Sequence, residues 1–459
     1  MLGKLVVPEI RELLADRDES TLRDVVNRWH VADLAELIER LSLEEQVCVL
    51  RLIQPPLAAE TFAYLDLETQ RQLLEILPLQ ESATILNEMS ADDRTALLAE
   101  LEPDQAERLI ERLEPEQRTV ARTLLNYEEG TVGRLMTPEY VSVRKEWTIR
   151  HVLDHVRAHG RDSETLNVIY VVDDQNRLVD DLRIREILLA PLHTHVSQLC
   201  DDRFICLNAT DDRSRAVEMF RKYDRTALPV VDDRGRLVGI VTLDDVLDVA
   251  EQEATREIQM FGGLEALDEP YMSTPVPEMV RKRALWLVIL FLGEMFTATA
   301  MGFFEEEISR AVVLALFVPL IISSGGNSGS QAATLIIRAL AVGDVKLGDW
   351  LRVLRREIVS GLILGAILGT IGFLRIAVWS SFTDLYGPHW HLVGLTVTVS
   401  LVGVVLWGTL TGSMLPFLLR RLGLDPATSS APFVATLVDV TGLVIYFTVA
   451  LVILRGTLL

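Results

Sequence analysis

Asp439 stands in the stretch Ala431 to Leu454, which carries no other charge and is long enough to cross a bilayer. An ionised carboxylate at that depth costs about 2.5 kcal/mol or more, so such a residue marks an ion path by default. Glu294 lies about midway along a second apolar stretch; facing the path and pairing with Arg375 are both open to it. A third stretch is interrupted by S-S-G-G-N-S-G-S-Q, Ser323 to Gln331. That composition predicts irregular backbone lining water or buried in protein, with Asn327, Ser330 and Gln331 offering neutral oxygens. Tight packing of small residues is the competing explanation. One or two carboxylates among neutral oxygens suit magnesium, a small octahedral ion that sheds water reluctantly. Calcium would want a fuller cage and a soft metal would want Cys or Met, and the spans hold no Cys.

Five apolar spans position these groups: roughly 284–303, 309–337, 358–380, 392–419 and 431–454. Arg281, Lys282 and Arg283 precede the first span, Arg338 to Arg356 join the second to the third, and Arg420 and Arg421 join the fourth to the fifth. Opposite them lie Glu305, Glu306, Glu307 and a loop from Ser381 to His391 without Lys or Arg, so the expected orientation puts the first 280 residues inside and the C-terminus outside. Met1 to Leu14 does not read as a signal peptide, which leaves insertion to the later spans. Five helices make a thin wall around a pore, and a two-fold homodimer is expected.

Charge is divided just as unevenly. The chain has 44 Lys and Arg against 66 Asp and Glu; from residue 281 onward the counts are 13 and 10, leaving about −25 on residues 1–280. Such a surface excludes nucleic acid, whose phosphates need a basic face, and attracts cations. Cys48, Cys200 and Cys206 sit at no metal-binding spacing and fit a reducing compartment.

Residues 1–130 contain a repeat: LSLEEQVCVLRLI at 41, LDLETQRQLLEIL at 65, MSADDRTALLAEL at 89, LEPDQAERLIERL at 101 and LEPEQRTVARTLL at 113. Each has a polar or acidic start followed by apolar residues at helical spacing, predicting short stacked helices in a superhelical module. A second repeat aligns NVIYVVDDQNRLVDDLRIREIL from 167 with TALPVVDDRGRLVGIVTLDDVL from 226, each preceded by a helical stretch (Thr148 to His159, Asp212 to Tyr223). This α/β order resembles a pair of cystathionine-β-synthase (CBS) domains, about 131–195 and 196–250. In that family a Thr or Ser followed by Asp three residues on holds a nucleotide ribose. Thr242 and Asp245 match, whereas Arg183 and Glu186 depart, so ATP is expected in one half at most. Asp244 to Gly262 reads as one carboxylate-rich helix, opening a connecting segment over 251–280.

The segments SGGNSGSQAATLIIRALA from Ser324 and LDPATSSAPFVATLVDVTGLVIYF from Leu424 make the whole chain similar to the MgtE family of bacterial magnesium channels. That resemblance implies a homodimer in the bacterial inner membrane, built of a helical N-domain (1–130), a CBS pair (131–250), a connecting plug helix (251–280) and five transmembrane helices (281–459). It assigns Asp439 to the pore, Asp425 to its cytoplasmic mouth and Ala435 and Thr436 to the path, through backbone carbonyls. It further implies that magnesium between acidic cytosolic surfaces holds the channel closed. By position, regulatory carboxylates are expected at Asp93, Asp212, Asp224, Asp245, Asp248, Glu253 and Glu257. Ser214 and Arg256 stand where acidic residues are expected, which predicts altered tuning.

Other signals point elsewhere. His151 and His155 are four apart but lack the Glu of a zinc-hydrolase motif, and His389 and His391 flank an interfacial Trp390. No nucleophile–base pair or phosphate loop occurs, so an enzyme is not expected. A cation-coupled carrier and a membrane-anchored CBS sensor or scaffold are the alternative functions.

Overall fold

Helices begin at residues 43, 55, 67, 79, 91, 103 and 115, twelve residues apart throughout. The repeat legible in the sequence skipped two of them, those starting at Pro55 and Leu79. Their N-caps, Gln54 and Pro78, are neither acidic nor Ser, Thr or Asn, so they lack the start signal the other repeats carry. The computed structural model describes residues 2–267, 271–272 and 274–458.

Among the described residues the N-terminal region comprises α1 (Leu2–Ala15), α2 (Glu19–Val26), α3 (Val31–Ile38), α4 (Leu43–Leu52), α5 (Pro55–Ala63), α6 (Leu67–Ile76), α7 (Leu79–Glu88), α8 (Ala91–Glu100), α9 (Pro103–Ile110) and α10 (Pro115–Leu125). Caps set the starts: the Ser42 amide donates to Glu45 Oε2 at 2.8 Å, and Asp66 Oδ1 accepts from the Thr69 amide at 2.8 Å. The helices bury a shared apolar face, with Leu34, Leu37, Phe62, Leu73 and Leu86 fully enclosed.

Two small α/β domains follow. The first holds α11 (Val132–Leu135), β1 (Ser142–Arg144), α12 (Ile149–His159), β2 (Val168–Val172), β3 (Leu178–Arg183) and α13 (Ile184–Leu189). The second holds β4 (Leu207–Asn208), α14 (Arg213–Tyr223), β5 (Ala227–Val231), β6 (Leu237–Thr242) and α15 (Leu243–Phe261). Each sheet has a parallel pair followed by an antiparallel one, β1-β2-β3 and β4-β5-β6. The antiparallel registers correspond at the 59-residue offset, Val168 opposite Arg183 and Ala227 opposite Thr242. Val168, Tyr170 and Leu178 of one sheet pack with Val231, Leu237 and Ile240 of the other. Arg225 and Asp181, both largely buried, form an ion pair at 3.0 Å across the same joint. Ala91 of α8 and Leu124 of α10 share a cluster with Phe220, Val230 and Val241, which fastens the helical region to the second α/β domain.

The chain divides into two compact units, residues up to Gln252 and residues from Glu253 onward, with α15 running through the division. Within the connecting segment 251–280, α15 stops at Phe261 and the next helix begins at Val276; residues 268–270 and 273 lie outside those described. The connector is therefore a helix end followed by a turn, not helix throughout. Gly263, at φ +73°, makes that turn against Trp286, where a Cβ would come within 2.6 Å of the indole.

The second unit holds α16 (Val276–Phe303), α17 (Glu305–Arg310), α18 (Val318–Ala341), α19 (Trp350–Ser380), α20 (Trp390–Arg421) and α21 (Ala431–Leu454). Among the described residues five of its helices are long and apolar enough to cross a membrane. The expected interruption at Ser323 to Gln331 does not occur, because α18 is helical through all nine residues. The small residues serve packing instead. A Cβ on Gly325 would lie 2.5 Å from Val404 Cγ1 and 2.7 Å from Val438 Cγ1, and one on Gly329 would lie 2.8 Å from Val434 Cγ1. Backbone approaches this close are the means by which helices associate where no hydrophobic force draws them together.

Candidate functional site

The last membrane helix is held at its N-terminus. Ser430 caps α21, accepting from the Phe433 amide at 3.4 Å and from Trp286 Nε1 at 3.1 Å, while Ser330 Oγ of α18 donates to the Ala431 carbonyl at 3.2 Å. These contacts fix Asp439, two turns further on, against Gly326: a Cβ at 326 would sit 3.4 Å from both Asp439 Oδ1 and Ala435 Cβ. Glycine thus leaves room beside the carboxylate that any side chain would take. Among the described residues Asp439 has no ion pair and no side-chain hydrogen bond.

Ala435 and Thr436 lie one turn before Asp439, in unbroken helix. Their carbonyls are engaged in the helical ladder, so each has only its second lone pair for an ion's water. Asn327, exposed and next to Gly326, donates from Nδ2 to Ser323 Oγ at 3.3 Å. Asp425 precedes α21, exposed, with Oδ1 accepting from the Ala427 amide at 2.9 Å. Glu257 of α15 belongs to the same unit. Loss of water raises its carboxyl above the usual range, opposed by the Arg338 charge and reinforced by Asp425 and Glu253. Glu253 and Asp425 thus lie within electrostatic range of Glu257.

Glu294 forms no ion pair with Arg375 among the described residues. It lies instead within electrostatic range of Asp439.

In the first unit the expected regulatory residues separate into two groups. Asp93, Asp245 and Asp248 meet in one acidic cluster. Asp212 and Asp224 occupy the two ends of α14, Asp212 accepting from the Ser214 amide and hydroxyl at 2.9 and 2.6 Å and Asp224 adopting a left-handed conformation after the last turn. The cluster also draws in Asp92, Asp244, Glu139 and Glu164, none of them expected from the sequence. The Asp92–Asp93 and Asp244–Asp245 pairs sit in the first turns of α8 and α15, whose helix dipoles favour negative charge. Glu139 and Glu164 come from loops before β1 and β2, which a Glu164 amide to Glu139 carbonyl hydrogen bond of 2.8 Å ties together. Fully buried Arg94 donates to the carbonyls of Leu86 and Met89 beneath.

Burial pushes Asp245 up to about 8, with Asp92 and Asp244 adding repulsion. Burial likewise carries Glu164 to about 7 and Asp93 to about 6, again with repulsion from Asp92 as the main charge effect, and raises Asp92 and Glu139. Asp92 Oδ1 is buried without a hydrogen-bond partner. A buried orphan oxygen among crowded carboxylates fits a cation. Among the described residues no three His, Cys, Asp or Glu side chains form a ready-made metal cage.

These carboxyls hold protons in the folded unit at pH values where the unfolded chain, with pKa about 4, has released them. The folded state then binds more protons, so stability rises as pH falls from about 8 toward 4. In chelator, full-length protein is expected to be cleaved several-fold more slowly at pH 6 than at pH 8 by limited proteolysis, rates being normalised to a denatured control. The reverse order would contradict the cluster. Thr242 Oγ1 donates to Asp245 Oδ2 at 2.6 Å, joining the two expected nucleotide ligands to the same cluster.

Comparison with known proteins finds the same kinds of domain in the same order. An MgtE intracellular N domain matches residues 29–130, CBS domains match 132–193 and 196–251, and the MgtE divalent cation transporter domain matches 318–449. Magnesium transporter MgtE of Thermus thermophilus is 42% identical over 99% of this chain and 100% of its own length. The chain belongs to the MgtE family of magnesium transporters. The Enterococcus faecalis MgtE is 33% identical over 70% of this chain and 69% of its own. A crystal structure of the cytosolic domain of the Mg2+ channel MgtE in complex with ATP is 38% identical, with a TM-score of 0.51 over 53% of this chain and 99% of that one. The soluble part of a magnesium transporter gives 0.53 at 26% identity, over 55% and 99%. The helical N-domain, CBS pair and five membrane helices are thus an MgtE architecture, and the relatives named are transporters.

Proposed function

We propose that this MgtE protein is a magnesium channel of the bacterial inner membrane that closes when cytosolic magnesium binds its acidic soluble unit. The observation that carries the reading is Asp439, an unpaired carboxylate at membrane depth with space held open beside it by Gly326. A hydrated Mg2+ passing there exchanges the field of its outer waters for that of a carboxylate. The inside-negative potential drives import with the N-terminus cytosolic. Two copies around a two-fold axis would complete the wall and place two Asp439 residues at one site.

Gating follows from crowding. Asp93, Asp245 and Asp248, with Asp92, Asp244, Glu139 and Glu164, repel one another until protons or a divalent ion neutralise them. A magnesium ion held through its waters would draw these elements together. Within the first unit Asp212 and Asp224 on the second CBS domain add to its anionic surface, and within the second Glu253 and Glu257 are the further regulatory carboxylates of the proposal. ATP enters the proposal through Thr242 and Asp245 and through the 38% identical relative whose cytosolic domain was solved with it. Absence of heat on titrating full-length protein with ATP would remove the nucleotide.

The test is magnesium flux into liposomes at low and high magnesium on the cytosolic face. High magnesium is expected to reduce flux at least about tenfold. Flux indifferent to cytosolic magnesium overturns the gating; flux that requires sodium or a proton gradient indicates the coupled carrier; no cation flux at all indicates a sensor or scaffold. The carrier has lost one support, since the unbroken α18 supplies no discontinuous helix.

A further inference from the structure

We infer that Glu294 is a second carboxylate of the membrane ion site, acting with Asp439 to set how strongly a hydrated divalent cation is held against monovalent competitors. The inference rests on the reading of Asp439 as the pore residue.

Helix α16 is the most exposed of the membrane helices: none of its most apolar 18-residue window is buried within the chain. Phe291, Leu292, Met295 and Phe296 around Glu294 are correspondingly exposed. An ionised Glu294 facing lipid among them would cost about 2.5 kcal/mol or more, whereas facing an aqueous path it costs little. Helix α16 packs against α21, the helix that carries Asp439. Gly293 meets α21 at Thr436, where a Cβ would lie 3.0 Å from Thr436 Cγ2. Asp439 follows Thr436 by three residues and so projects from the same side of α21. Glu294, the next residue, points about 100° further round α16 at this level of α21, close enough for its charge to act on Asp439.

A second observation concerns Thr297, one turn beyond Glu294 on the same side of α16. Its Oγ1 is buried and has no hydrogen-bond partner. Unpartnered buried hydroxyls are uncommon, and this one adds a neutral oxygen to α16 one turn from Glu294. Neither carboxylate has a counter-cation among the described residues. Such charges in a medium of low polarity repel, and a dication relieves the repulsion twice as far as Na+ or K+ does. Charge density thus becomes the basis of selection at a site otherwise lined by neutral oxygens and glycine. Gly326 of α18 lies against the same carboxylate, where a Cβ would be 3.4 Å from Asp439 Oδ1.

The test uses full-length protein in liposomes, with magnesium flux measured against magnesium concentration in the presence of Na+. Glu294→Gln is expected to raise the KM for magnesium about tenfold, keep maximal flux within about twofold and admit competition by Na+ at lower concentration. Glu294→Asp, which keeps the charge, should restore most of the affinity. Unchanged KM and unchanged Na+ competition in Glu294→Gln overturn the inference. So does loss of maximal flux at unchanged KM, the mark of a structural role. Should Glu294→Gln fail to give monodisperse protein, Glu294→Asp carries the test alone, since moving the carboxylate one methylene back should raise KM measurably and an unchanged value overturns the proposal. Asp439→Ala protein is measured in parallel: if it conducts like wild type, the failure belongs to the pore reading itself and not to Glu294.

Discussion

Asp439→Ala protein in liposomes is expected to carry at least about 100-fold less magnesium than wild type, a loss of roughly 3 kcal/mol of ion stabilisation. The magnitude follows from what a dication meets at that depth. Its waters go with it, but bulk solvent does not, and the remaining compensation is the carboxylate charge. Ala435, Thr436 and Asn327 supply dipoles, and the carbonyls of the first two are engaged in helix. Asp439→Asn is the sharper variant because it keeps size and polarity. It should lose nearly as much flux while the protein becomes more heat-resistant, since an unpaired carboxylate among apolar helices opposes folding and its neutral isostere does not. Lost flux with preserved or raised thermal stability separates ion binding from structure. Asp439→Asn protein that conducts like wild type would remove the pore from this part of the chain and bring the carrier and scaffold readings forward.

Asp439 was legible in the sequence because one charge in a long apolar run is a local signal. The spans were legible for the same reason: the structure keeps the fifth as expected, starts the first and third earlier, at Val276 and Trp350, and starts α18 later, at Val318. What stayed hidden depended on contacts between distant elements. Glu164 lies in a loop with no pattern of its own, and it reaches Asp92, 72 positions earlier, only because the helical region docks on the CBS pair. Asp212 and Asp224 illustrate the converse: an acidic residue flanking a helix answers equally to capping and to metal binding, and both are held in cap positions. The S-S-G-G-N-S-G-S-Q segment was misread through propensity. Glycine and serine weaken a helix in water, yet inside a bundle they permit the backbone contact that stabilises it, so composition pointed to a break where packing makes a continuous helix.

That packing makes Gly412→Val and Gly408→Val the most disruptive substitutions expected outside the ion path. A Cβ on Gly412 would overlap the Gly329 carbonyl oxygen, and one on Gly408 the Gly325 carbonyl oxygen, so α20 must withdraw from α18 to admit any side chain. Nothing flexible stands in the way to yield, because the opposing atoms are backbone. Overpacking costs about 1–3 kcal/mol even where side chains can repack, and valine here should exceed that range, lowering the unfolding temperature in detergent by several degrees. Flux should fall with it, since Gly326 sits on the same helix as the displaced Gly325 and Gly329 and sets the space beside Asp439. Gly302→Ala is the matched control: it lies in α16 with no atom within 4 Å of its added Cβ, and removing a glycine from a helix should leave stability unchanged or slightly raised. If Gly412→Val melts and conducts like Gly302→Ala, the α18–α20 contact is not as tight as drawn, and the space beside Asp439 must be set by other groups.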